Sequence, residues 1–208
     1  IAIGSYSGAI LGKMMNGLPG LFAGMAVGVV ISVIVAFLVG LPTLRLKGDY
    51  LAIATLGVAE IIRVAVTNMK ITNGAAGISG VPLTNTWTIT YIALVVTTIL
   101  ILNYTFSSAG RATYAVLQDE IAAESMGVQV TKYKILAFVL GAATASIGGT
   151  LSATTLGAVT PSDFTFMKSI DVLIIVVFGG IGSFTGSFVA AVLLGIINLV
   201  LQPFGQLR

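Results

Sequence analysis

Glu60 and Arg63 form an acid–base pair within an apolar run, three residues apart, so on a helix the carboxylate and guanidinium meet on one face. Charges at membrane depth are costly and usually face a bundle interior or a cavity. Three roles are therefore open to the pair: a proton relay, a contact with a polar substrate, or a neutralising structural pair near the membrane rim. Glycines form a second group. The stretch from Thr72 to Pro82 holds Asn73, Gly74, Gly77 and Gly80, and it can turn tightly and bring backbone N–H groups to a ligand or partner, or serve only as a turn-rich connection. Gly179, Gly180 and Gly182 lack the strand–helix unit and the downstream acid of a dinucleotide fingerprint. A helix break there, near Asp171, would instead open into a translocation path, because irregular backbone is tolerated at membrane depth where it lines a cavity. The remaining catalytic vocabulary is thin. With no Cys and no His, the sequence offers no disulfide, thiol nucleophile, Cys/His metal site or imidazole base. Gly12-Lys13 is followed by Met14 and lacks the preceding glycine of a phosphate-binding loop, so ATP would have to be hydrolysed by another chain.

These groups must be positioned by membrane-spanning helices. Hydrophobic residues make up 57% of the chain and charged residues 8%, with a mean hydropathy of +1.08, where soluble domains carry about one-quarter charged residues. Ten Lys+Arg against seven Asp+Glu are scattered singly, which leaves no basic face for nucleic acid. A bilayer core of about 30 Å takes about 20 apolar residues as helix. That ruler places spans near 20–41, 50–68, 87–106, 134–156 and 170–201. The last is overlong and glycine-interrupted, and reads as a broken helix or a re-entrant piece plus a span. Residues 1–15 read as the tail of an earlier helix, and the whole of 1–208 as one all-α polytopic transmembrane domain cut at both ends, with no signal peptide to claim.

The connections run over 42–49, 69–86, 107–133 and 157–169. Counting Lys134 at the rim, the first and third hold Arg45, Lys47, Arg111, Lys132 and Lys134, whereas the other two hold Lys70 and Lys168. The positive-inside rule puts the first and third in the cytoplasm. Small residues recur at four-residue spacing in Gly20/Gly24/Gly28, Gly141/Ala145/Gly149 and Gly182/Gly186. Such rows let helices approach closely, within one bundle or across a subunit seam.

The third connection, 107–133, contains a short helix from Ala112 to Met126 bracketed by Gly110 and Gly127. Leu117, Ile121, Ala122 and Ser125 fall on one side, and Asp119, Glu120 and Glu124 project away from it. The helix either links two spans or docks a cytosolic partner.

Four segments resemble the permeases of branched-chain amino acid ABC transporters. They are Gly110-Arg111 followed by Asp119 to Gly127, Arg45 to Gly57, Thr72 to Pro82, and Val177 to Ser183, all in family order. The resemblance is closest to the second of the two permeases that pair in such systems. It implies a heterodimeric pore with a second permease subunit, two cytoplasmic ATPase subunits that carry ATP and Mg, and an extracytoplasmic substrate-binding protein. The site would be a bacterial plasma (inner) membrane, and no cofactor would be bound by this chain. It further implies ATPase coupling through Gly110, Arg111, Asp119, Glu120, Ala122, Ala123, Glu124 and Gly127, and more spans before Ile1 and after Arg208. This chain carries Leu117-Gln118 where the family commonly has Arg-Glu, so no ionic contact is implied for those two positions. The translocation path or gate would draw on Glu60, Arg63, Asn73, Gly74, Gly77, Gly80, Asp171, Gly179, Gly180 and Gly182. Two rivals remain: a permease of the same superfamily for urea, an amide or a sugar, and a proton-coupled carrier using Glu60.

Overall fold

The computed structural model describes residues 1–15, 17–46 and 48–201, so Lys47, one of the five basic residues counted above, lies outside the described residues. The fold is an all-α polytopic bundle. Its helices are α1 (Ala2–Met14), α2 (Leu18–Thr43), α3 (Asp49–Asn68), α4 (Trp87–Phe106), α5 (Ser108–Gln118), α6 (Glu120–Ser125), α7 (Val130–Leu156), α8 (Phe166–Gly179) and α9 (Phe184–Leu201). Among them α2, α3, α4 and α7 are long and apolar enough to cross a membrane, which makes this a multi-pass membrane protein.

The windows 20–41, 50–68, 87–106 and 134–156 fall within α2, α3, α4 and α7. The window 170–201 is divided between α8 and α9. The break falls at Gly180 (φ 87°) and Gly182 (φ 90°), where the left-handed backbone suits glycine, and not near Asp171, which lies within α8. The chain forms two compact units, one running through Ser162 and a second beginning at Asp163.

The core of the first unit is made by α1, α2 and α7 packing on one another. Lipid tails supply no hydrophobic drive for helix association, so close backbone contact and interhelical hydrogen bonds take its place. Gly4 and Gly149 lie against the backbones of Ser146 and Ile1, and a Cβ on Gly24 would stand 2.8 Å from the Cα of Gly8. Hydroxyls join the three helices: Ser5 Oγ donates to the Gly149 carbonyl at 2.9 Å, Thr150 Oγ1 to Gly4 at 2.9 Å, and Ser7 Oγ to Gly24 at 3.0 Å. Gly24 and Gly28 of the α2 row are thus occupied within the chain. The α7 row is split, because Gly149 is buried against α1 while Gly141 faces open space.

At the end of the core where α7 finishes, the connections are tied together. Strand β1 (Ile78–Ser79) pairs antiparallel with β2 (Ala158–Val159), and Val81 N–H donates to the Gly157 carbonyl at 3.0 Å.

Candidate coupling segment and membrane-depth ion pair

The segment between α4 and α7 is built from caps. Ser107 Oγ accepts from Gly110 N–H at 3.1 Å and starts α5, so Gly110 is its third residue and not a breaker. A Cβ on Gly110 would strike the carbonyls of Tyr104 and Thr105, which explains glycine at this corner. Arg111 donates from Nη1 to the Phe106 carbonyl at 3.0 Å and from Nη2 to Ser108 Oγ at 3.1 Å, and Tyr104 Oη meets Thr113 Oγ1 at 2.6 Å. The α4–α5 corner is therefore fixed by side chains on both sides.

One helix was expected from Ala112 to Met126, and two are found. Asp119 leaves helical geometry (φ −153°, ψ 111°), ends α5 and caps α6, its Oδ1 accepting from the N–H groups of Ile121 at 2.9 Å and Ala122 at 3.0 Å. At the other end Gly127 adopts φ 82°, its N–H reaches the Glu124 carbonyl, and Val128 N–H reaches Ala123. This double closure, with Val128 packed against the cluster of Val116, Ala123 and Val130, is the usual glycine-terminated helix end. Val116 and Ala123 point inward to meet Val130, and Leu117 and Ile121 are exposed, the reverse of the expected apolar side. Ala122 and Glu124 are exposed as well. Glu120 does not project away; it pairs with Lys134 Nζ at 2.8 Å and ties α6 to α7.

Because Asp119 works here as a cap, Asp119→Ala should weaken α6 by about 1 kcal/mol, whereas Asp119→Asn, an equally good cap, should not. Hydrogen exchange of the amides from 120 to 126 would separate the two variants, and equal exchange would refute the capping role.

Glu60 and Arg63 meet on α3, with Arg63 Nε 3.0 and 2.9 Å from the two carboxylate oxygens and Nη2 also in contact with Oε1. Glu60 is the twelfth and Arg63 the fifteenth residue of the 20-residue helix. The glycine-rich loop is ordered by its own contacts. Asn73 takes the left-handed conformation (φ 61°) followed by Gly74 (φ 61°), and its Nδ2 donates to the Gly77 carbonyl at 3.0 Å. Gly77 lies against the backbone of Val159, whereas Gly80 (φ 70°) is open. Asp171 sits 4.0 Å from Lys168 on the surface of α8, and Gly179 lies against Gly186 and Ser187 of α9 across the Gly180–Gly182 turn. Glu60 and Arg63 on α3 and the loop of residues 73–80 make these separate contacts within the first unit, and Asp171, Gly179, Gly180 and Gly182 belong to the second.

Sequence reasoning missed the exposed apolar face of α5–α6, comprising Tyr114, Leu117, Ile121 and Met126. The signal was present: Asp119 eight residues before Gly127 is a cap-to-cap spacing for a separate short helix.

Residues 1–207 match the family described as branched-chain amino acid transport system / permease component. The "high-affinity branched-chain amino acid transport system permease protein LivM" of Salmonella typhimurium is 36% identical over 99% of this chain and 56% of its own length. LivM of Escherichia coli is 35% identical with the same coverage, and LivH of Escherichia coli, a permease protein of the same description, is 34% identical over 57% of this chain and 37% of its own length. The chain therefore spans a little over half the length of the LivM proteins it matches, and no solved structure matches it. With that agreement along its length and a bundle of membrane-length helices, the chain belongs to the branched-chain amino acid transport permease family.

Proposed function

We propose that the chain is a permease subunit of a bacterial inner-membrane ABC importer and forms part of the translocation path for leucine, isoleucine and valine. It would work with a second permease, two cytoplasmic ATPases that bind ATP and Mg, and an external binding protein. Besides the family match, the observation that carries this reading is the α5–α6 segment, a helix pair fixed at its caps with Tyr114, Leu117, Ile121 and Met126 uncovered. An apolar face on a rigid element beside the bundle suits docking into a partner's groove. The Glu120–Lys134 pair and the Val116, Ala123 and Val130 cluster join that element to α7, and α7 packs on α1 and α2, so a displacement at the segment reaches the core helices.

Ile121→Asp should lower ATP-dependent uptake by the full complex by about tenfold or more while leaving membrane insertion intact, since an acid would be buried where an apolar anchor belongs. Uptake equal to that of the parent complex would refute docking through this face.

The orientation can be tested separately. The sequence is free of Cys, and Ser79 and Ser108 are both exposed. Single cysteines there should react differently with an impermeant thiol reagent in intact cells: Ser79→Cys labelled and Ser108→Cys spared. The reverse pattern would invert the topology.

A further inference from the structure

Among the described residues of the first unit none buries a residue of α3, although it is an apolar helix of membrane-spanning length. Within this apolar span Glu60 lies about 17 Å from the Asp49 end and about 12 Å from Asn68, and Arg63 about 21 Å and about 8 Å, at 1.5 Å per residue. Their side chains are 53% and 32% exposed, and the contacts they make are to each other. Ile53, Leu56, Gly57 and Val64 share their side of the helix at three- and four-residue steps. A Cβ on Gly57 would meet nothing within 4 Å. Hydrocarbon is a poor neighbour for such a face, because exposed charges at that depth are costly and are found against protein or water.

The choice between protein and water follows from complementarity. A carboxylate and a guanidinium side by side present the counter-charges of an α-amino acid, whose ammonium and carboxylate are separated only by the α-carbon. Ile53, Leu56 and Val64 supply aliphatic surface around them. We infer that this face of α3 is a wall of the water-filled passage, on which the zwitterionic head of an aliphatic amino acid exchanges with the Glu60–Arg63 ion pair. Its ammonium is taken by Glu60 and its carboxylate by Arg63. The ion pair closes again when the cargo leaves, so neither charge is left without a partner at membrane depth. This inference rests on the amino acid importer reading above.

The test uses the complete complex reconstituted with its binding protein. Gly57→Cys should be tolerated, because the site is open and the chain has no other cysteine. ATP-dependent leucine uptake by this variant is measured first, and its loss in every form of the complex would count against the importer reading itself. In a transporting complex, a cationic methanethiosulfonate reagent should modify Gly57→Cys, and leucine with its binding protein should slow that modification. Reaction only with a lipid-soluble maleimide, or cross-linking to the second permease without access for the cationic reagent, would overturn the passage assignment. The double variant Glu60→Gln/Arg63→Gln removes both charges together, so the complex should still co-purify while uptake falls about ten- to hundredfold, the loss expected for charge-assisted hydrogen bonds to the cargo. Unchanged uptake by an assembled complex would overturn the head-group role.

Discussion

Gly4→Leu should abolish the folded, monodisperse subunit, whereas Gly141→Ala should leave its melting temperature unchanged or raise it. The two glycines occupy helices of the same core, but their surroundings differ. A Cβ at Gly4 would run into the backbone carbonyl of Ser146 on α7, and Gly4 O is also the acceptor for Thr150 Oγ1 at 2.9 Å. A side chain could rotate away from the intruder, but a helix backbone cannot without moving the whole of α7. Gly4→Ala alone should therefore reach the upper end of the roughly 1–3 kcal/mol that overpacking costs. A leucine must part α1 from α7 and break the Ser5–Gly149 and Thr150–Gly4 hydrogen bonds together. Gly141 faces open space within the chain, so alanine there adds no clash and gains up to about 1 kcal/mol of helix propensity. Thermal unfolding in detergent followed by size exclusion would check both variants, and a stable Gly4→Leu subunit would show that α1 does not pack as described.

The same contrast explains which parts of the fold could be read in advance. Spans are set by a length and a hydropathy that any window exposes, so α2, α3, α4 and α7 were legible. The role of α1 was not. Its buried Gly4, Ser5 and Gly8 read only as the tail of a helix in a hydropathy reading and become a core when Gly24 of α2 and Ser146, Gly149 and Thr150 of α7 are brought opposite. The α5–α6 segment was placed correctly as a short helical connection but given one helical register. The buried stripe runs through Val116 and Ala123, seven residues apart, because Val130 of α7 meets that side, and not through Leu117 and Ile121. Charge pattern misled in a similar way. Glu120 and Glu124 are both acids on an exposed helix, and only the fold shows that Lys134 comes back to meet the first of them. The Thr72 to Pro82 loop gave its turns away through glycine, but not its pairing with Ala158–Val159, a partner distant in sequence.

Leucine uptake by the reconstituted complex should fall to background without ATP or without the binding protein, and should survive a proton ionophore. This outcome separates the importer from a carrier driven by protons through Glu60. A relay must load and unload a proton at the same carboxylate and pass it to another group. In the structure that carboxylate is held by Arg63 through both oxygens, at 3.0 and 2.9 Å from Nε, and the pair is isolated along α3. Neutralising the carboxylate would leave the guanidinium without its counter-ion at a depth where charges need partners. Glu60→Gln does that permanently. It should lower the yield of assembled complex and its uptake together, and whatever uptake remains should still depend on ATP. Arg63→Gln in the same background removes the stranded charge and should restore assembly without restoring full uptake, because counter-ion balance and cargo contact are then separated. Uptake without ATPases, driven by an imposed pH gradient and abolished by Glu60→Gln, would refute the importer in favour of a proton-coupled carrier. The geometry points the other way: an ion pair closed on itself can open for a zwitterion and reclose, and it needs no proton to do so.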